Sequence, residues 1–359
     1  MPTLTLAVLG AGFMGSALAV HAARRGHAVR LWGSRFDADL LAAMRAGHAH
    51  PRLDLAMPRE VVLHDEPALA EALAGASAVI VAVNSDAVAP VLAAAASALP
   101  PGAPVLCASK GFVESGPRVL RLSVAARAAI AEAWASAAPA RLVPWVALGG
   151  PAKAKELCRG MPTAIVAASP SAEARAQARA LLEGGGVWVG ETDDLAGVET
   201  CSAFKNAYAT SAGLVDGLAA AGWEAAEAGA HNLKAALFAL AAGEIATMAA
   251  ALGGEARTAW GLAGVGDLHV TAIAGRNHEL GARVGAGQSP DDVAAEMRAA
   301  RTLTEGYGAI ATGWRLLGEL ADAGRARRAE FPLLEALHRI VYRGESALEV
   351  LTALPLVAR

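Results

Sequence analysis

Cysteine is scarce. Cys107, Cys158 and Cys201 are the only three, and none stands in a CxxC pair. That spacing excludes a disulfide framework and a cysteine-built zinc site, and fits reduced thiols. An excess of charge of either sign is also missing. The formal net charge is −3 with the signs interspersed, which argues against nucleic acid or an anionic membrane as partner. No internal repeat, low-complexity linker or His/Cys/Asp cluster stands out, so no metal is expected. The first apolar run begins at residue 4, with no basic stretch and no cleavage pattern before it. The expectation is no signal peptide and a cytoplasmic location. The most apolar long stretch, residues 235–254, is rich in Ala rather than Leu or Ile and carries Glu244 in its middle. It reads as a buried core helix rather than a membrane span.

What is present is a large apolar inventory, 55% of 359 residues. Single cores stop growing near roughly 250–300 residues, so two domains are expected. Short apolar runs at residues 4–9, 28–32, 61–63, 78–83, 105–108, 145–148, 163–168 and 187–189 alternate with Ala-rich helical stretches. The run AVIVAV at 78–83 has no polar alternation, as a parallel strand covered on both faces requires. This pattern predicts an α/β domain, a Rossmann-type doubly wound sheet, over residues 1–191. Beyond it the strand runs stop. Helical patterns at 195–218, 232–252, 307–323 and 331–342 predict an all-α domain over residues 192–359.

The first strand runs into GAGFMG, then a helix, then a second strand. That context makes GxGxxG a dinucleotide-binding fingerprint. Gly10 makes the tight turn, Gly12 admits the pyrophosphate, and Gly15 lets the helix pack on the strand. The second strand ends in Leu31-Trp32-Gly33-Ser34-Arg35, with no carboxylate until Asp37. NAD-binding folds usually place an acid there for the ribose hydroxyl, whereas Ser34 and Arg35 suit a 2′-phosphate. NADP(H) is therefore the expected cofactor, with NAD(H) also accepted. Further polar groups fall at strand ends, where such sheets bind ligands: Asn84-Ser85, Lys110, and Gly149-Gly150-Pro151-Ala152.

One segment of the helical half calls for a reason of its own: GLAGVGDLHVTAIAGRN, residues 261–277. Gly261, Gly264 and Gly266 fit a chain that passes close to other groups or turns at unusual dihedrals. Asp267 is an acceptor able to hold a Lys. Arg276 offers a planar fork for phosphate or carboxylate. On composition alone a helix-to-helix loop with a surface Arg fits equally well.

Taken together, GAGFMG, SKGF (109–112), GGPAKAKEL (149–157), FKNAYATSAGLVDG (204–217), HNLKAA (231–236), the 261–277 segment, TEGYGA (304–309) and FPLLEAL followed by YRG resemble the NAD(P)-dependent glycerol-3-phosphate dehydrogenases in order and spacing. The resemblance covers nearly the whole chain. It implies reversible reduction of dihydroxyacetone phosphate to sn-glycerol 3-phosphate, supplying phospholipid synthesis, by a homodimer with a small phosphorylated substrate and no stable membrane insertion. It implies Lys205 as general acid, with Asp267 and Thr271 in support and Lys110 by the substrate and nicotinamide. Lys110, Gly150, Asn206, Thr271, Arg276 and Asn277 fall to the substrate. Gly10, Gly12, Phe13, Met14, Gly15, Ser34, Arg35, Lys110, Ala154, Arg276 and Glu305 fall to the cofactor. The chemistry agrees: hydride attack on a ketone builds alkoxide charge, which needs a proton donor within reach, and an Arg fork fixes the non-reacting phosphate.

Some positions depart from the family pattern. Ala152 and Lys153 replace a hydroxyl residue and an aromatic, Asn84 replaces Pro, Ala272 replaces Cys, and Leu233 replaces Thr. Gly275 precedes the Arg, giving the shorter spacing before it. These changes bear on substrate identity. A related dehydrogenase for another phosphorylated or acidic hydroxy compound, and a nucleotide-binding sensor with weak catalysis, are the alternatives.

Overall fold

The computed structural model describes residues 3–135, 143–226, 229–300, 302 and 305–356. It forms two compact units, residues 1–113 with 120–195 and residues 114–119 with 196–359.

The strands are β1 (Thr5–Leu9), β2 (Ala28–Trp32), β3 (Val61–His64), β4 (Ala78–Val81), β5 (Val105–Cys107), β6 (Phe112–Ser115), β7 (Arg118–Arg121), β8 (Trp145–Gly149), β9 (Thr163–Ala168) and β10 (Val187–Thr192). The helices of the first unit are α1 (Phe13–Arg24), α2 (Ala38–Arg45), α3 (Leu69–Leu73), α4 (Ser85–Ala95), α5 (Leu122–Ala135), α6 (Ala154–Leu157) and α7 (Ala172–Leu182). Among the described residues, eight strands form one sheet in the order β10-β9-β8-β5-β4-β1-β2-β3. β1 lies between β2 and β4 and is parallel to both. The chain winds one way through β2 and β3 and the other way through β4, β5 and β8. The reversal beside β1 is where such sheets bind nucleotides. The apolar runs without alternation are the buried strands: Leu6, Val8, Val79, Ile80 and Leu106 have no exposure.

Two features were not anticipated. β9 runs antiparallel to β8, although β10 is parallel to β9. β6 and β7 form a separate two-stranded sheet, unread because each strand is short and half polar. Its tip sits with the helical unit. The Val119 amide donates to Glu319 Oε1 at 3.0 Å, and Arg315 reaches Glu114 Oε2 at 2.6 Å and the Gly116 carbonyl at 2.7 Å.

The second unit is helical: α8 (Leu195–Ala220), α9 (His231–Ala251), α10 (Asp267–Ala272), α11 (Arg276–Gly285), α12 (Pro290–Ala299), α13 (Glu305–Asp322), α14 (Pro332–Arg343) and α15 (Ala347–Thr352). α8 is buried along nearly its whole length, so the polar side chains it carries, Glu199, Lys205 and Asn206 among them, are buried with it. α9 is the one described helix long and apolar enough to cross a membrane. Glu244 in its middle instead accepts from Tyr208 Oη at 2.7 Å and from the amides of Leu333 and Leu334 at 2.6 and 3.0 Å. Those amides open α14 behind Pro332, so a carboxylate from one helix caps another. Gly344, at φ 67°, ends α14 in the left-handed conformation.

Candidate active site

In the first unit the candidate residues gather at the carboxyl ends of β1, β2, β4, β5 and β8. Gly10 has φ 113°, and a Cβ there would lie 2.7 Å from the Ala82 carbonyl oxygen. A Cβ at Gly15 would lie 1.9 Å from the Gly10 oxygen, so α1 rests directly on the turn. At Gly12 nothing lies within 4 Å. Gly12 caps α1 without a side-chain hydrogen bond, and the first turn, Phe13-Met14-Gly15, holds no acidic residue. No side chain therefore competes for the amides at the positive end of this twelve-residue helix, which fits an anionic pyrophosphate.

The end of β2 is shaped by Gly33. A Cβ there would meet Asp37 Cβ at 2.9 Å and Ala11 Cβ at 3.1 Å, so the position excludes a side chain. Asp37 turns inward: its Oδ2 accepts from the Ser34 amide at 3.0 Å and the Ser34 hydroxyl at 3.1 Å. Arg35 is exposed, with its guanidinium 5.3 Å over the Phe36 ring, and Phe36 itself is 83% exposed. The Arg35 amide donates to Glu66 Oε2 at 3.2 Å.

Lys110 Nζ donates to the Gly150 carbonyl at 3.1 Å, tying the end of β5 to the end of β8. Gly150 has φ 100° and Gly111 φ 146°. The Ser109 hydroxyl donates to the Val83 carbonyl, fixing the SKG turn against the end of β4. Ala154 is buried at the start of α6. Asn84 caps α4 without a side-chain hydrogen bond.

The second unit gathers the others. Lys205 on α8 and Asp267, the first residue of α10, are 8% and 1% exposed and form a direct ion pair. Such buried pairs stand only when both partners are present; removing one costs about 3–5 kcal/mol. A π-helical turn, Leu262–Gly266, delivers Asp267, closed by the Gly266 amide on the Gly261 carbonyl at 3.2 Å. Turns of this kind recur at functional sites. The expectation for the glycines of this segment holds at one position: a Cβ at Gly264 would lie 1.9 Å from the Ala259 oxygen. Gly261 and Gly266 have ordinary negative φ, −98° and −63°, so the turn needs neither left-handed backbone. The left-handed glycine is Gly275, φ 133°, which caps α11. The Thr271 hydroxyl donates to the Asp267 carbonyl one turn back, at 2.7 Å.

Beside this pair lies a closed ring of hydrogen bonds. Asn277 Nδ2 donates to Asn206 Oδ1 at 3.0 Å, Asn206 Nδ2 donates to Glu305 Oε2 at 2.8 Å, and the Gly306 amide donates to Asn277 Oδ1 at 2.8 Å. Asn277 thus has its carbonyl oxygen and one amide hydrogen committed to protein. A Cβ at Gly306 would lie 2.8 Å from the Asn206 carbonyl oxygen, so this corner admits only glycine. Arg276 Nη2 stands 3.9 Å from Glu305 Oε1, both about half exposed. That is beyond hydrogen-bond reach, a weak pair that leaves the fork open to a stronger anion. Thr304, the first residue of the TEGYGA segment, lies outside the described residues.

Sequence reasoning missed two groups. Asp216 on α8 accepts from Lys234 Nζ at 2.8 Å and from His278 Nε2 at 2.8 Å. Burial opposes its ionisation, but those two hydrogen bonds prevail and hold its carboxyl below the usual range. The other is the Gly306 amide. Both were in view as parts of quoted motifs, but partners tens of residues away leave no local mark.

Residues 5–175 match the family model described as the N-terminus of NAD-dependent glycerol-3-phosphate dehydrogenase, and residues 194–352 match that of its C-terminus. The NADP(+)-dependent glycerol-3-phosphate dehydrogenase of Archaeoglobus fulgidus is 33% identical across 97% of this chain and 98% of its own. The glycerol-3-phosphate dehydrogenase [NAD(P)+] of Thermus thermophilus is 36% identical, covering 98% of each chain. Among solved structures, glycerol-3-phosphate dehydrogenase from Coxiella burnetii superposes with a TM-score of 0.81 at 26% identity, over 98% of both chains. With its Gly-rich nucleotide cradle and helical unit bearing Lys205, the chain belongs to the NAD(P)-dependent glycerol-3-phosphate dehydrogenase family.

Proposed function

We propose that the chain interconverts dihydroxyacetone phosphate and sn-glycerol 3-phosphate, with Lys205 as the proton donor and NADP(H) as the preferred cofactor. The observation that carries this reading is the buried Lys205–Asp267 pair beside the Asn206–Asn277 ring, with the open fork of Arg276 next to Asn277.

When bound, the nicotinamide supplies the hydride that adds to the carbonyl carbon. The chain's own residues do the rest. Asp267 accepts one hydrogen of the Lys205 ammonium and so aims the others. As the carbonyl oxygen gains charge, Lys205 hands it a proton; in reverse it takes the proton back. Thr271 closes the first turn of α10 on the Asp267 carbonyl and keeps that carboxylate in place. Arg276 takes two phosphate oxygens with its fork. The N-terminus of α11, capped by Gly275 with no competing side chain, adds its amides. Lys110, braced on Gly150, is the cation that the first unit offers to an anionic ligand. Gly10, Gly12 and Gly15 with the first turn of α1 hold the pyrophosphate. Arg35 holds the 2′-phosphate, and the absence of room for a carboxylate at Gly33 favours it. The Archaeoglobus fulgidus relative, named for NADP(+), supports that preference.

Lys205→Ala is expected to lower turnover by about 100-fold or more, while Arg276→Ala raises KM for the phosphorylated ketone far more than it lowers turnover. NADPH binding by fluorescence is expected to persist in both. Near-normal turnover in Lys205→Ala would remove Lys205 from the mechanism.

A further inference from the structure

Arg276 opens α11 and Lys205 lies on α8, so the contact between these helices governs how far the phosphate grip stands from the proton donor. That contact is backbone on backbone. A Cβ at Gly213 would lie 2.0 Å from the His278 carbonyl oxygen, and one at Gly217 2.1 Å from that of Ala282. From the other side, a Cβ at Gly281 would lie 2.1 Å from the Thr210 oxygen, and one at Gly285 2.2 Å from that of Leu214. Each pair of contacts advances by four residues on both helices. The two therefore run in the same direction, i±4 ridge against i±4 ridge. A seam of this kind has no side chains to rearrange, so its spacing is fixed.

Polar groups pin the same seam. Asn277 is bound to Asn206, beside Arg276 and Lys205 respectively. Asp216 binds His278, two residues after Arg276, whose carbonyl is the one resting on Gly213, and also Lys234 of α9. Its side chain is 39% exposed, so core filling does not account for it.

We propose that Asp216 is a positioning residue and that the seam it pins is a spacer, matching the Lys205–Arg276 separation to a ketone with one methylene between carbonyl and phosphate ester. The inference rests on the proton-donor and phosphate-grip roles proposed above. A displacement near 1 Å at such a site costs about 100-fold in rate, and the gap between 2.1 Å and ordinary contact at 3.4 Å exceeds that.

The test compares kcat/KM for dihydroxyacetone phosphate with that for erythrulose 4-phosphate, in which one more carbon separates carbonyl from phosphate. Asp216→Ala is expected to lose about tenfold on the shorter substrate and to shift its preference toward the longer one. Its NADPH Kd stays within about twofold. Asp216→Asn, which keeps an acceptor, restores most of the loss. Gly281→Ala is expected to act in the same direction and more strongly, about 100-fold. Gly243→Ala on α9, with nothing within 4 Å of its Cβ, leaves the ratio unchanged. Equal loss on both substrates in Asp216→Ala, or no loss, overturns the spacer, and this holds whether or not Gly281→Ala folds. A wild-type protein inactive on dihydroxyacetone phosphate, or an Arg276→Ala variant that keeps full activity on it, would instead sink the underlying roles.

Discussion

At the scale of single residues, the proposed preference for NADP(H) turns on what stands at the end of β2. Gly33 has no room for the carboxylate that would receive a ribose hydroxyl, and Asp37 is engaged with Ser34. Arg35, exposed and laid over Phe36, is the cation proposed for the 2′-phosphate. A charge-assisted hydrogen bond contributes about 1.5–3 kcal/mol. Arg35→Ala is therefore expected to weaken NADPH binding by about tenfold or more and to leave NADH binding nearly unchanged. Equal losses in titration calorimetry would mean that Arg35 does not face the 2′-phosphate. The end of β2 at Trp32, just before Gly33 and Arg35, was legible in the sequence because the fingerprint fixes where the second strand falls. Lys205 and Asp267 were legible only through family resemblance. They are 62 residues apart, and neither composition nor periodicity pairs a helix Lys with one particular distant carboxylate.

At the scale of elements, Glu244 joins α8, α9 and α14. Only 2% exposed, it accepts from Tyr208 and from the first free amides of α14. Burial pushes its carboxyl up to about 7, although these hydrogen bonds favour the ionised form. A raised folded-state value stabilises the protein fully below the ordinary 4.5 and loses that contribution as pH rises through about 7. The change is about 3 kcal/mol. His21, His27, His50, His64 and His338, held low by burial, slope the opposite way. The difference between wild type and Glu244→Gln in urea unfolding isolates the carboxyl. It is expected to move against wild type between pH 4.5 and 7 and to level off above. Parallel pH profiles would contradict this. The buried strands were readable because both faces are covered and their apolar runs are unbroken. The β6–β7 tip was not, because its stability comes from Arg315 and Glu319 on α13 rather than from its own sequence.

At the scale of the whole chain, strands first and helices after made the α/β and all-α halves visible from apolar patterning alone, and motif order carried the family. The antiparallel β9 and the seam of α8 on α11 left no comparable mark: a strand's direction and a glycine's close neighbour are set by distant partners. The departures at Ala152, Asn84 and Ala272 stand beside the motifs that carry the family resemblance, and they make substrate identity the point to measure. The most direct measurement is the steady-state oxidation of NADPH by the purified protein with dihydroxyacetone phosphate, followed by absorbance and repeated with unphosphorylated dihydroxyacetone. Fast oxidation is expected with the phosphate ester, slower oxidation with NADH, and a large loss of kcat/KM without the phosphate. Clear NADPH binding with no oxidation by dihydroxyacetone phosphate would contradict the proposed reaction.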